Sequence, residues 1–111
     1  MKRGEVWTVA GGPDYAGKPR PVVIVQDDRF DATASVTICA FTTDATPAPL
    51  FRLAIEPNSQ NGLKAVSCLM ADKITTVPKT KLGTHIGRLD NEDVMRLNRA
   101  MMVFLGLAGA S

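Results

Sequence analysis

The order of apolar and polar positions along the chain predicts many short β-strands followed by one helix. Runs with strand character are separated by turn-forming glycine, proline and asparagine residues. The runs cover residues 5–9, 21–26, 35–41, 51–56, 65–70 and 73–77, with a shorter seventh at 84–88. The second run is continuously apolar and rich in β-branched residues, which is typical of a strand buried on both faces.

The spacing of the apolar positions changes to three and four residues after Asp90. This spacing predicts an amphipathic helix of about four turns that closes the chain, with Asp90 as its N-cap. Many short strands followed by one helix favour a small antiparallel sheet or barrel with the helix packed on it. Further apolar residues widen the stripe on the helix, namely Met95, Met102, Val103 and Leu107. A stripe of this width indicates either a fully buried helix or a subunit contact, and we expect a homodimer.

Length and composition narrow the class of protein. The chain has 111 residues, of which 45% are hydrophobic and 22% charged, so we expect a single folded domain over residues 1–111. No apolar run approaches the roughly 18 residues that span a bilayer, and no signal-peptide pattern follows the N-terminus. Two cysteines and one histidine are too few for a disulfide scaffold or most zinc sites. We therefore expect a protein that is not exported and that folds without a disulfide scaffold or a structural metal.

A basic cluster is the first hint of a ligand. The net charge is only +2, but Lys73, Lys79, Lys81 and Arg88 lie close together with Asp72 as the only acid among them. Such a cluster is compatible with phosphate binding, and it is also typical of an ordinary solvated surface. Charge patterning leaves both interpretations open.

Several motifs, in order and spacing, carry a resemblance to a known family. They are Arg3-Gly4-Glu5-Val6-Trp7, the stretch from Arg20 to Asp27, Ala40-Phe41-Thr42-Thr43, Asn61-Gly62-Leu63 and the stretch from Ser67 to Val77. Over nearly its whole length the chain resembles the MazF/PemK family of toxin endoribonucleases. The opening motif combined with Arg-Pro-Val-Val-Ile-Val is the most specific part of this resemblance.

The resemblance implies a mainly β protein, a small SH3-like antiparallel barrel of the CcdB/PemK kind with a C-terminal amphipathic helix. It implies a homodimeric enzyme in the bacterial cytoplasm that cleaves single-stranded RNA sequence-selectively, with no metal or other cofactor and no membrane partner. It also implies inhibition by a cognate acidic antitoxin.

The resemblance also implies site residues. Metal-free cleavage can use the RNA's own 2′-OH as nucleophile, and the protein must then stabilise the charge on the phosphate. Arg20 matches the family's catalytic arginine, Thr42 its catalytic threonine or serine, and Asp72 an acid proposed as general base in part of the family. Predicted RNA-binding residues are Tyr15, Lys18, Thr43, Lys73 and Lys79.

This chain departs from the family pattern around Asp72. Lys73 replaces the usual glutamine, while Met70 and Thr75 stand where some relatives carry basic residues. These departures favour a mechanism that depends on Arg20 and Thr42, with Lys73 as the second positive charge.

The sequence leaves two other functions open. CcdB toxins share the implied fold and poison DNA gyrase without enzymatic activity, but they use a tryptophan near the C-terminus, whereas this chain has only Trp7. The third possibility is a degenerate toxin that only binds RNA or antitoxin.

Overall fold

In the part of the chain that the structure describes, six β-strands are followed by one α-helix. The computed structural model describes residues 1–10, 18–44, 46–48 and 50–107. The elements are β1 (Glu5–Val9), β2 (Arg20–Ile24), β3 (Ser35–Thr42), β4 (Arg52–Ile55), β5 (Ser67–Pro78), β6 (Leu82–Arg88) and α1 (Asn91–Phe104). Single turns of 3₁₀-helix at Asp28–Phe30 and Lys79–Lys81 follow β2 and β5.

The strands form one antiparallel sheet in the order β4-β5-β3-β2-β1-β6. A mainly β fold with a C-terminal helix confirms the predicted fold class. Within the described ranges, the strand pairings leave β4 and β6 as edges instead of joining them in a closed ring. The segment that follows β4 bridges towards the other edge, because the Arg88 backbone N–H donates to the Gln60 carbonyl at 2.9 Å.

One strand is longer than the sequence indicated. The separate strands predicted at 65–70 and 73–77 are wrong, since β5 runs through both as a single strand of twelve residues. The two runs are separated only by Ala71 and Asp72, and neither is a glycine or proline that would interrupt the hydrogen-bond ladder of a strand. β5 can therefore pair with β4 over its first third and with β3 over most of its length.

Both faces of the central strands are buried. Val23 and Val25 belong to the main core with Leu69 and Leu97, whereas Val22 and Ile24 belong to a second cluster on the opposite face. The prediction that the second apolar run is buried on both faces is confirmed. A strand held on both sides is a rigid support for the residue that begins it, Arg20.

The helix begins where the sequence predicted. The Asp90 side chain accepts a hydrogen bond from the Asp93 backbone N–H at 2.8 Å, which caps the first turn. Leu97 and Ala100 are its buried residues and face β4 and β5. Among the described residues, no helix is both long and apolar enough to cross a membrane.

A buried asparagine orders the loop between β4 and β5. The Asn61 side chain donates to the Glu56 carbonyl at 2.8 Å and accepts from the backbone N–H groups of Asn58 and Leu63 at 3.1 and 3.0 Å. Because the residue is fully buried, these bonds replace its contacts with water. They hold the following residue, Gly62, in the left-handed conformation with φ +72°.

Candidate active site

A groove of about 490 Å³ opens where the start of β2, the end of β3 and the middle of β5 meet. Its lining residues, which define the groove, are Arg20, Ala40, Phe41, Thr42, Thr43, Asp44, Met70 and Lys73. The pairing of β2 with β3 explains this meeting, since Val22 pairs with Ala40 in an antiparallel register. Arg20 lies two residues before Val22 and Thr42 two residues after Ala40, so both reach the same end of the sheet.

Arg20 is the exposed first residue of β2, with Pro19 and Pro21 on either side. Proline fixes its own φ near −65°, so the backbone on both sides of the arginine has little freedom. A guanidinium held at the mouth of a groove presents a planar set of donors that matches two phosphate oxygens. The position of Arg20 therefore suits an anionic ligand.

Thr42 ends β3 inside the same groove. Its hydroxyl oxygen accepts a hydrogen bond from the Asp44 backbone N–H at 3.1 Å. The hydroxyl proton is not used by that bond, so it can be donated to a ligand oxygen. Thr43, the predicted RNA contact next to it, is exposed and also lines the groove.

Asp44 is a groove residue that the sequence analysis missed. Hydrogen bonds from the side chain and the backbone N–H of Thr46, at 2.7 and 3.0 Å, hold the pKa of the Asp44 carboxyl below its usual value. The signal was the spacing Asp-x-Thr after a strand, which is typical of an Asx turn. A carboxylate fixed in this way orders the chain that follows Thr42.

Asp72 forms an ion pair with Arg52 of β4. Arg52 Nε lies 2.9 Å from Oδ1 and Nη2 lies 3.2 Å from Oδ2, so each carboxylate oxygen accepts one hydrogen bond. These bonds lower the pKa of Asp72, although partial burial opposes the shift. A lower pKa makes the carboxylate a weaker proton acceptor. Arg52 could not be predicted from the sequence, because a partner twenty residues away is set only by the register of β4 and β5.

The predicted RNA-binding residues do not all gather at the groove. Lys73 lines it, and the exposed Lys18 precedes Arg20 by two residues. Lys79 follows Pro78, which pairs with Ser35 at the far end of β3, about 20 Å from Thr42 at the usual rise per residue. There the Lys79 ammonium forms an ion pair with Asp31 at 3.7 Å.

Tyr15, the remaining predicted RNA contact, lies outside the described residues. Within the described ranges, no three histidine, cysteine or acidic side chains come together as a group that could hold a metal ion. The described groove thus offers a guanidinium, an ammonium, hydroxyl groups and the Asp44 carboxylate.

Comparison with known proteins decides the family. A family model for the PemK-like, MazF-like toxin of type II toxin–antitoxin systems matches residues 2–105. The chain belongs to this family. The predicted resemblance is thus confirmed, and the MazF-like toxin is the toxin component of such a system.

Relatives of this MazF-like toxin match over nearly its whole length. A protein of Mycolicibacterium smegmatis named "Probable endoribonuclease MazF" is 57% identical over 98% of this chain and 100% of the relative. Endoribonuclease EndoA of Bacillus subtilis is 29% identical over 96% of each chain. A solved mycobacterial endoribonuclease in complex with its cognate antitoxin superposes with a TM-score of 0.80 at 28% identity, covering 96% of each chain.

Proposed function

We propose that this MazF-like toxin is an endoribonuclease that cleaves single-stranded RNA sequence-selectively in the groove, without a metal ion. The observation that carries the proposal is the convergence of Arg20, Thr42 and Lys73 on one open surface. The relatives named endoribonucleases support the activity itself. They favour an enzyme over a gyrase poison or a module that only binds RNA.

The proposed reaction is an internal transfer of the phosphate. The RNA 2′-oxygen bonds to the adjacent phosphorus, the bond from phosphorus to the 5′-oxygen breaks, and a 2′,3′-cyclic phosphate and a 5′-hydroxyl result. The 2′-OH proton passes to water, and the 5′-oxygen takes a proton from water. Arg20 binds the phosphate oxygens as negative charge builds on them, and the Thr42 hydroxyl donates to one of them. Lys73 binds the neighbouring backbone phosphate.

The first prediction concerns the metal. We expect the purified protein to cut a long single-stranded RNA into discrete fragments in excess EDTA, because the charged groups of the mechanism belong to side chains. Fragments should carry 2′,3′-cyclic phosphate ends. Arg20→Ala protein purified in parallel is the control for contaminating nuclease. Cleavage that stops with EDTA and returns with added Mg²⁺ would contradict the mechanism, and an intact RNA would favour the binding functions.

We further propose that an acidic antitoxin inhibits the toxin by covering the groove. The solved mycobacterial neighbour is a complex with its cognate antitoxin, which supports a partner of this kind. Arg20, Lys73 and the nearby exposed Lys18 make the groove attractive to a chain of carboxylates for the same reason that they attract phosphates. The bacterial cytoplasm is the location that we propose, because both the RNA and the antitoxin are made there.

We also propose that the toxin works as a homodimer. Six large apolar residues near the end of α1 or on its outer side are about half exposed or more: Met95, Met102, Val103, Phe104, Leu105 and Leu107. An exposed apolar patch on a small protein is typical of a subunit contact.

The second prediction tests this contact. Light scattering at micromolar concentration should give twice the chain mass of 11.9 kDa. Leu105→Lys should shift the mass towards that of one chain, because the dimer would have to bury a charge. Thr80→Lys, which adds the same charge at an exposed position outside the helix, should leave the dimer intact. A wild-type mass near that of a single chain would contradict the proposal.

A further inference from the structure

β5 carries a bulge directly beside the groove. Cys39 pairs with Ile74 and Phe41 with Leu69, so β3 advances by two residues while β5 advances by five. Met70 and Lys73 both line the groove, although residues three apart on a regular strand point to opposite faces. Residues 70–73 thus form an irregular segment, and its irregularity is what allows the Lys73 side chain to reach the groove.

Contacts from both neighbouring strands hold this bulge. The Ala71 backbone N–H donates to the Phe51 carbonyl at 2.9 Å, and the Cys39 thiol donates to the Met70 carbonyl at 3.3 Å. These two contacts hold the first half of the bulge. The side chain of Asp72, the residue just before Lys73, is held instead by the two hydrogen bonds from Arg52.

The geometry of the ion pair suits a positioning device. Both side chains are mostly buried, with 17% of Arg52 and 18% of Asp72 exposed, and two parallel bonds fix the orientation of the carboxylate. Arg52 also pairs with Met70 in the β4–β5 ladder, so it approaches the bulge from the adjacent position. Because desolvation offsets much of the attraction within a buried pair, the pair need not add much stability in order to define the shape of the bulge.

We propose that Arg52 and Asp72 are positioning residues that hold the bulge of β5 so that Lys73 contacts the RNA backbone in the groove. The identity of the ligand rests on the proposed function. In this assignment Asp72 acts through Lys73 and does not remove the 2′-OH proton. The net charge of the pair is zero, so removal of both partners leaves the charge of the surface unchanged.

The test measures how salt weakens binding of an RNA that cannot be cut. The probe is a single-stranded RNA with 2′-O-methyl groups throughout, which lacks the attacking hydroxyl. Each phosphate contact to a single strand adds about 0.7 to the slope of log affinity against log salt concentration. Lys73→Met should lower the slope by about 0.7, and Arg52→Met should lower it equally. The double variant that combines Lys73→Met with Arg52→Met should lower the slope no further than either change alone. The second substitution then removes a phosphate contact that is already lost.

Arg29→Met is the matched control. Arg29 forms an exposed ion pair with Asp27, beyond the end of β2 that lies away from Arg20. This variant should keep the wild-type slope. Thermal unfolding of each variant shows whether it is folded at the assay temperature. If Arg52→Met does not fold, Arg52→Lys and Asp72→Asn replace it, and both should lower the slope because neither keeps the pair of charge-assisted bonds.

Four results would overturn the proposal. A decrease of about 1.4 in the double variant would mean that Arg52 contacts phosphate itself. An unchanged slope in folded Arg52 or Asp72 variants would mean that Lys73 contacts RNA without the ion pair. An unchanged slope in Lys73→Met would mean that Lys73 does not contact a phosphate. The pH dependence of cleavage distinguishes a general base from a positioning residue at Asp72. If Asp72→Asn loses the acid limb of the wild-type pH profile, Asp72 is the general base. Failure of wild type to cut RNA would instead overturn the proposed function, while the slopes would still decide the role of the pair.

Discussion

Replacement of Arg20 with alanine is expected to lower RNA cleavage roughly 10²–10³-fold, the usual loss when one preorganised donor to a transition state is removed. The side chain is exposed at the first residue of β2, so the core on either face of the strand should remain packed. Single-turnover cleavage of a defined RNA measures the chemical step. Binding of the 2′-O-methyl RNA should weaken less than cleavage, because Lys73 still contacts the backbone.

Two further variants separate the guanidinium from a general effect of charge. Arg20→Lys should recover only part of the activity, since an ammonium keeps the charge and loses the planar pair of donors. Lys18→Ala removes an exposed charge two residues away and should lower cleavage only a few-fold. If folded Arg20→Ala cuts within a few-fold of wild type, the assignment of Arg20 is wrong, and Lys73 becomes the main candidate for the charge at the phosphate.

The part of the site formed by β2 and β3 could be predicted from the sequence. Strand runs that follow each other in sequence are usually neighbours in the sheet, and an antiparallel pairing of β2 with β3 puts the start of β2 near the end of β3. That topology brings Arg20 and Thr42 to one end of the sheet. The helix was equally predictable, because Asp90 caps it locally and its apolar spacing is regular.

The part of the site on β5 could not be predicted in the same way. The two runs at 65–70 and 73–77 looked separate, because the bulge interrupts their alternation without a glycine or proline. Arg52 lies on β4, and only the pairing of Arg52 with Met70 brings it to Asp72. A register between strands depends on the packing of a whole sheet, and no local motif records it.

The basic cluster shows the same limit. Lys73 and Lys79 are close in sequence, and charge alone suggested one face for both. Six residues of extended strand separate them by about 20 Å, so Lys73 reaches the groove while Lys79 reaches Asp31. Closeness in sequence implies closeness in space on a helix more readily than on a strand.

The substitution Gly62→Ala is expected to destabilise the fold strongly, although it adds only one methyl group. Gly62 has φ +72°, a conformation that costs an L-residue about 1–2 kcal/mol. A Cβ at this position would also overlap the carbonyl oxygen of Ile86 in β6. That carbonyl belongs to backbone, so it can move only if β6 shifts against β1. We expect the free energy of unfolding to fall by more than about 3 kcal/mol, a large part of the 5–15 kcal/mol typical of a domain.

Gly106→Ala is the matched control, because Gly106 has the same φ of +72° but open space where its Cβ would be. It should lose only about 1–2 kcal/mol, the cost of the backbone conformation. Gly87→Ala tests the same contact between the loop and β6 from the side of β6. Its Cβ would meet the backbone of Gln60 and Asn61 in the loop. Urea unfolding followed by circular dichroism measures all three variants. Equal decreases in the free energy of unfolding for Gly62→Ala and Gly106→Ala would mean that the loop after β4 does not pack against β6. The contact between the two sheet edges would then be absent.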